Sequence, residues 1–192
     1  MVRAIIIKVF DKRGELVQVK EIDTDIFNMY LERRRDLGTN YFGRFLAALF
    51  EFTGYQKDRD ITVVDESGAT KTVRIKTASD VPFFNSTYTR GIGAAIAVGS
   101  GTTAPTRSDN ALESKIEHRV AGVKWEDNSD YISIYASFSF DSEVTISEVA
   151  LFYETIDVNK ALTRIYFDRT VLDEPISITP PGSVTVEYRI AI

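Results

Sequence analysis

One stretch of ten residues, YISIYASFSF at positions 131–140, constrains the fold more than any other part of the chain. Apolar and polar side chains alternate along it without a break, which is the period of a β-strand with one buried and one exposed face. The apolar face would carry Ile132, Ile134, Ala136, Phe138 and Phe140, and the polar face Tyr131, Ser133, Tyr135, Ser137 and Ser139. The pattern predicts a sheet that buries one of its faces.

Further strand patterns follow residue 56. DITVVDESGATKTVRIK predicts a hairpin around the turn at residues 66–68, and VTISEVALFY, ALTRIYFDRTVL and SVTVEYRIAI predict three more strands near the end of the chain. Short strands with turn signals between them and few helical patterns are typical of an antiparallel sandwich or barrel. We predict a mainly β fold, a jelly-roll-like antiparallel β-sandwich over residues 56–192.

The first 55 residues carry a different pattern. VRAIIIKVF and ELVQVKEI flank a turn at residues 11–14, which predicts an N-terminal hairpin. Helical spacing follows over residues 24–38 and again over residues 40–54, with Gly38 and Gly54 as the predicted helix ends. Because two helices and a hairpin need a further layer to cover their apolar faces, we expect residues 1–55 to pack on the main domain.

Composition excludes several classes of function. The 192 residues are 44% hydrophobic and 27% charged, as in a soluble globular domain, and they contain no cysteine, so disulfides and thiolate zinc sites are excluded. The net charge of -5 argues against general attraction to nucleic acid. The apolar run FLAALF is far shorter than the roughly 20 residues of a membrane span, and none is predicted.

Known catalytic motifs are not found in the sequence. A phosphate-binding loop needs a lysine directly after its last glycine, and here Gly101 is followed by Thr102. His118 is interpreted as a surface residue rather than a catalytic or metal-binding one. The acidic run at residues 126–130 is interpreted as a polar turn in preference to a calcium site. We therefore predict a protein that is not an enzyme and that holds no cofactor or metal.

Glu148 is the one acidic residue placed unusually, because it falls on the apolar face of a predicted strand. A bulge just before Glu148 would turn it outward and bring Val149 and Leu151 inward. Alternatively, Glu148 is a candidate buried charge that must be paired. The candidate partners for such a pair are Arg119 and Arg164.

The segment GSGTTAPTRSDNALESKI, residues 99–116, joins small residues to an apparent helix start. Ser108 or Asp109 is a suitable N-cap, and Leu112 and Ile116 are spaced to face a sheet from a helix of about two turns. The segment is interpreted as a corner between a strand and a short helix.

The longer segment IAVGSGTTAPTRSDNALESKI resembles part of many virion proteins of tailed bacteriophages and related archaeal viruses, where a β-rich module carries a run like VGTGTTAPTPSDTALE. In those proteins a strand close to ISEVGLF follows, and then a terminal strand ending in a Tyr-x-Ile-like pattern. The counterparts here are residues 99–113, 146–152 and 184–192, with Ser100 where Thr is common and Ala150 where Gly is common. The resemblance covers residues 90–192 and implies a virion structural protein.

The leading hypothesis is accordingly a non-enzymatic subunit of a virus particle, in a tail, neck, appendage or capsid-associated position. It is expected in the virion, bound to copies of itself and to other virion proteins. The candidate assembly contacts are Thr102, Thr103, Pro105, Arg107, Tyr131 and Tyr135. The alternative is a carbohydrate- or receptor-binding β-sandwich, in which Trp125 or the tyrosines stack on sugar rings.

Overall fold

The computed structural model describes residues 2–23, 36–38, 59–75, 93–125 and 131–191. Within these residues the regular structure consists of β-strands, and all neighbouring strands are antiparallel. The predicted mainly β, antiparallel class is confirmed. The strands are β1 (Val2–Phe10), β2 (Leu16–Asp23), β3 (Asp36–Gly38), β4 (Arg59–Val64), β5 (Thr70–Ile75), β6 (Gly93–Gly99), β7 (Lys115–Val120), β8 (Gly122–Trp125), β9 (Tyr131–Phe140), β10 (Val144–Ile156), β11 (Leu162–Ile178) and β12 (Gly182–Ala191).

The strands form two five-stranded sheets and one hairpin. The first sheet has the order β2-β1-β12-β9-β8, and the second has the order β3-β11-β10-β6-β7. Strands β4 and β5 pair with each other as the hairpin. Because β1 pairs with β12 along most of its length, the N-terminal hairpin β1–β2 belongs to the same sheet as the last strand.

Both five-stranded sheets contribute side chains to one buried apolar cluster, which we call the main core. In β9 the predicted alternation is confirmed over residues 134–140. The residues of β9 in the main core are Ile134, Ala136, Phe138 and Phe140, and those exposed are Tyr135, Ser137 and Ser139. Full burial of a large aliphatic or aromatic side chain stabilises a fold by about 1.5–3 kcal/mol, so this strand alone makes a large contribution.

The same five-residue turn closes three of the hairpins. Its first residue is an aspartate whose N–H donates to the carbonyl of the fifth residue, and whose carboxylate accepts from the N–H groups of the third and fifth. The aspartates are Asp11, Asp65 and Asp157. The fourth residues are Gly14, Gly68 and Lys160, with φ of 77°, 81° and 67°. The two turns predicted from sequence are confirmed, and the third places a lysine where glycine is unstrained.

Lys71 connects two of these turns. Its Nζ lies 3.9 Å from Asp65 Oδ2 and 3.9 Å from Asp157 Oδ2, while the Oδ1 atoms of both aspartates are used within their own turns. Val63 and Val73 of the β4–β5 hairpin are buried in the main core. The hairpin is therefore held both by apolar packing and by a shared cation.

The two-turn helix predicted within residues 108–116 is wrong. Residues 109–114 are irregular, with bends at 111, 113 and 114, and Ile116 lies in β7 with 38% of its surface exposed. The N–H groups of Glu113 and Ser114 donate to the Glu148 carboxylate, at 3.1 and 2.8 Å. A helix would need those groups to donate to carbonyls four residues earlier in the chain, so the two arrangements exclude each other.

The two predicted N-terminal helices lie mostly outside the described residues, since residues 24–35 and 39–58 are not among them. The last three residues of the first predicted helix are described and are not helical. Asp36–Gly38 forms β3, which pairs with residues 168–170 of β11. The prediction that Gly38 ends a helix is wrong, because β11 provides hydrogen-bonding partners for an extended backbone there.

Candidate functional site

Residues 99–114 lie over the face of the second sheet that points away from the main core, which we call the outer face. A small apolar cluster separates the segment from the strands beneath it. Its members are Ala95, Ala97, Leu112, Ala150, Phe152 and Tyr166. Strand β10 is consequently buried on both faces, and its buried residues run without a break from 146 to 155.

A register irregularity in β10 directs Glu148 toward the outer face. Ile146 and Glu148 are two residues apart, but their partners on β11, Ile176 and Val171, are five residues apart. The irregularity reverses the alternation of β10, as a β-bulge does. The change of alternation falls where one sequence alternative placed a bulge, although the extra residues lie in β11, and Glu148 is nevertheless buried and paired, as the other alternative required. The residues that it brings into the main core are Val149 and Leu151.

Glu148 is fully buried and accepts four hydrogen bonds from the protein. Oε1 accepts from the N–H groups of Gly101 at 3.0 Å and Ser114 at 2.8 Å. Oε2 accepts from the N–H of Glu113 at 3.1 Å and from Nε of Arg169 at 2.8 Å. A buried carboxylate is costly unless it is bonded in this way, and the same bonds satisfy three N–H groups of an irregular backbone.

Arg169 binds three groups in different directions. Besides Glu148, its Nη1 donates to Asp109 Oδ2 at 2.8 Å and its Nη2 donates to the carbonyl of Thr103 at 3.1 Å. Burial lowers the pKa of Arg169, but the bonds to Asp109 and Glu148 outweigh that effect and raise it. The side chain, only 5% exposed, is therefore a charged tie between the sheet and the segment above it.

The partners predicted for Glu148 were the wrong arginines. Arg119 lies on β7 with 54% of its side chain exposed, and Arg164 donates to Glu154 at 2.7 Å. Arg169 takes the role because it lies opposite the residue two positions after Glu148. A signal for this pair was present, since Arg169 interrupts the apolar run of β11 as Glu148 interrupts that of β10.

Two further acidic residues fix the segment from within, and sequence reasoning missed both roles. Asp109 accepts the Thr106 N–H at 3.0 Å and its hydroxyl at 2.5 Å. Glu113 Oε2 accepts the N–H groups of Thr102 and Thr103 at 2.9 and 2.8 Å. Burial raises the pKa of Asp109, but the bonds from Thr106 and Arg169 outweigh it, so the pKa is lowered and the group is ionised at neutral pH.

The glycines of the segment allow the backbone to approach the buried carboxylate. A Cβ atom on Gly99 would lie 2.6 Å from Glu148 Oε1, and one on Gly101 would lie 2.5 Å from that oxygen and 2.5 Å from Glu113 Cβ. All three distances are shorter than a non-bonded contact allows. Glycine is required at both positions for this reason, and not for holding a phosphate.

A second ion network lies farther along the outer face. Arg164 donates to Glu154 and also to Glu66 of the β4–β5 turn, and Lys115 donates to Glu66 at 2.8 Å. His118 lies beside the network, with Nε2 3.7 Å from Glu154 Oε1. The network joins the hairpin to the same face that residues 99–114 cover.

The candidate assembly residues fall in two places. Thr102 and Thr103 are exposed on the anchored segment, although the Thr103 hydroxyl donates to Glu113 at 2.7 Å. Pro105 is buried, whereas Arg107 is half-buried. Tyr131 and Tyr135 lie on β9, far along the chain from the segment, and face a pocket of the first sheet.

Other predicted positions are placed as follows. His118, predicted as a surface residue, is a side chain with 33% exposure whose ring meets Phe152 edge-on at 5.8 Å. The predicted polar turn at residues 126–130 and the side chain of Trp125 lie outside the described residues. In the described part of the chain, no group of three or more His, Cys, Asp or Glu is arranged to hold a metal ion.

The chemistry of the site is that of a structural anchor. Both Glu148 oxygens are engaged by protein donors, and the bonds they accept determine the path of the backbone above them.

Among the described residues there is no helix long and apolar enough to cross a membrane. Comparisons of the chain with protein-family models, curated proteins and solved structures found no match.

Proposed function

We propose that the protein is a non-enzymatic structural subunit of a virus particle, in a tail, neck, appendage or capsid-associated position, and that it acts by assembling with copies of itself and with other virion proteins. The proposal includes a jelly-roll-like β-sandwich for the two five-stranded sheets. Their contribution to one main core supports this arrangement, because sheets that share a core pack face to face.

The observation that carries the proposal is the exposed apolar surface of β2. Leu16, Val17 and Val19 are 53%, 60% and 53% exposed. Among the described strands β2 pairs with β1 alone, so its other side is an edge. An apolar strand at a sheet edge offers both hydrogen-bonding groups and buriable area to another chain, which is how strand-edge assembly proceeds.

The lysine on β2 does not protect this edge in the usual way. Charged residues, above all lysine, often prevent unwanted pairing at edge strands. Lys20 instead directs its Nζ to the carbonyl of Glu174 on β11, at 2.9 Å. Its charge is thereby drawn toward the second sheet, and the apolar residues of β2 stay accessible to a partner.

The anchored segment of residues 99–114 also suits assembly. Its backbone is held by Glu148, Arg169 and Glu113, so its exposed threonines have a fixed position before any partner arrives. Preordering a loop in this way reduces the entropy lost on binding. The segment is therefore suited to setting the register of a neighbouring subunit.

Light scattering of the purified full chain tests the proposal. We expect an oligomer for the natural sequence and a monomer for the double variant Val17→Lys, Val19→Lys. Val158→Lys is the matched control, since Val158 is 47% exposed but lies in the β10–β11 turn. A natural chain that stays monomeric at all concentrations contradicts the assembly role, as does equal disruption by the control.

Mass spectrometry of virus particles purified from cultures of the source organism tests the virion location. Absence of the chain from those particles contradicts it.

A further inference from the structure

The turn between β10 and β11 carries an exposed apolar surface, which we call the tip and which comprises residues 156–162. All of these residues except Asp157 are exposed. Ile156, Val158 and Leu162 are 45%, 47% and 49% exposed. Ile156 lies directly opposite Leu162 across the hairpin. Three large aliphatic residues therefore meet the solvent together at one end of the second sheet.

The two other turns of the same geometry provide an internal comparison. Their second residues are Lys12 and Glu66, so the turn itself does not require an apolar residue where the tip has Val158. Their fourth residues are glycines, whereas the tip has Lys160 with a φ of 67°. Backbone strain of this kind is concentrated at functional positions. The tip departs from its own turn type at two positions, once toward an apolar side chain and once toward a positive one.

Lys160 is the available charge of the tip. Asp157 is buried, its Oδ1 accepts two N–H groups of the turn, and its Oδ2 faces Lys71. In the part of the chain that the structure describes, the exposed Lys160 ammonium has no ion-pair partner. The tip thus combines an aliphatic surface with one cation that is free to bind an anionic group.

The backbone of the tip has its N–H groups satisfied within the protein. Those of residues 157–161 all donate to acceptors of the chain. The N–H of Val158, at the second position of the turn, donates to the carbonyl of Thr72 on β5 at 3.0 Å. Because an unsatisfied N–H is costly away from water, a turn bonded in this way can enter an apolar medium at low cost.

We propose that the tip binds the surface of a phospholipid bilayer, with its aliphatic side chains among the upper acyl chains and the Lys160 ammonium at a lipid phosphate. The inference goes beyond the assembly role and does not depend on it. A lysine suits this position because its stem stays in apolar surroundings while its charged end reaches the phosphates. A protein partner matches the tip less well, since protein interfaces are enriched in aromatic residues and arginine, and residues 156–162 contain neither.

Flotation of the full chain with vesicles of phosphatidylcholine and phosphatidylglycerol tests the inference. We expect the natural chain to float with the vesicles. Val158→Ser should weaken binding about fivefold, because it removes part of the buried aliphatic surface and keeps the N–H that donates to Thr72. Val120→Ser is the matched control and should leave binding unchanged, since Val120 is 43% exposed but lies on β7.

Lys160→Gly separates lipid binding from folding. It removes the cation and relieves the positive φ, so it should weaken binding about fivefold while raising the melting temperature. A loss of binding in a more stable variant cannot arise from misfolding. Unchanged binding in Lys160→Gly overturns the inference.

Three further results would also overturn it. The first is absence of flotation by the natural chain at up to about 10 mM lipid, a range that reaches weak sites. The second is full release by inorganic phosphate, because the tip would then bind the charge of the headgroup without the bilayer. The third is a changed oligomeric state of Val158→Ser in light scattering, which would show that a second copy covers the tip. Light scattering of the natural chain tests assembly separately, so either idea can fail alone.

Discussion

Arg169 Nε lies 2.8 Å from Glu148 Oε2, and through this buried pair two adjacent strands are tied to the segment that crosses over them. Each partner makes further bonds to that segment, Glu148 to three backbone N–H groups and Arg169 to a carbonyl and a carboxylate. The pair therefore acts on the shape of residues 99–114 more than on the sheet, which would remain paired by its backbone without it.

We expect Glu148→Gln to lower the free energy of unfolding by about 3 kcal/mol, because removing one member of a buried pair leaves the other charge poorly compensated. Urea denaturation followed by circular dichroism measures the change. Glu143→Gln, at an exposed position in the turn before β10, is the control and should change stability by less than about 0.5 kcal/mol. A similar small effect for both variants would show that the pair is not an anchor.

Gly101→Ala should destabilise the protein by about 2 kcal/mol, since its Cβ would approach both Glu148 and Glu113 and the buried bonds would have to lengthen. Amide hydrogen exchange should show faster exchange at residues 101–103 and 113–114. The comparison is Ala104→Ser, at an exposed position of the same segment, for which we expect natural exchange at these amides. Unchanged exchange in Gly101→Ala contradicts the proposed close approach.

Lys160→Gly should stabilise the protein by about 1 kcal/mol, because Lys160 has a φ of 67° in a turn where the other two hairpins have glycine. The melting temperature should rise accordingly. Asn159→Gly, one position earlier, adds backbone freedom without relieving a positive φ, and we expect it to lower the melting temperature. The conformational explanation fails if the two substitutions shift it in the same direction.

Because the chain has a single histidine, His118, a change in stability near neutral pH can be assigned to one side chain. Burial lowers the pKa of His118 below 6.5, and Arg164 lowers it further, while Glu154 opposes the shift. Since the unfolded chain then binds its proton at higher pH than the folded chain, stability should fall as pH drops from about 7 toward the folded pKa, and then level off. Titration of the imidazole resonance measures the pKa directly, and a value at or above 6.5 contradicts the expectation.

His118→Gln is the matched variant for that measurement. It should remove the fall in stability between neutral pH and the pKa of His118 in the folded chain. It should leave the further loss of stability below about pH 4, where carboxylates with lowered pKa values such as Asp109 take up protons. A step that persists in His118→Gln would have to arise from another group.

Sequence alternation was sufficient to predict burial where only one face of a strand is covered. In β9 the period of two places Phe138 inside and Tyr135 outside. In β10 and β11 both faces are covered, so burial leaves no period of two. The unbroken apolar run at residues 149–153 is a local sign of a second covered face, whereas the charged residues Glu148 and Arg169 are the sign that this face holds a buried pair. Matching those two charges required the β10–β11 register, which the sequence pattern does not determine.

The position of the corner at residues 99–114 could be predicted from the sequence, but its backbone conformation could not. Ser108 and Asp109 have the same side chains whether they cap a helix or close a turn, and the spacing of Leu112 and Ile116 fits either structure. The group that decides between them is the Glu148 carboxylate, which lies 35 residues after Glu113. The prediction of a helix at the corner therefore agreed with the local residue pattern, and it was wrong because a distant side chain decides the conformation.

The contact of Lys71 with two turn aspartates bears on the order in which the chain folds. Asp65 and Asp157 each close a turn of only five consecutive residues, and hairpins form in roughly 1–10 μs. The place where Lys71 binds exists only after both turns have closed and met, because each aspartate then presents its remaining oxygen to the same cation. We therefore expect the two turns to form early and their link through Lys71 to form late. Loosening that link, as in Lys71→Met, should then speed unfolding in stopped-flow measurements while leaving the rate of folding nearly unchanged.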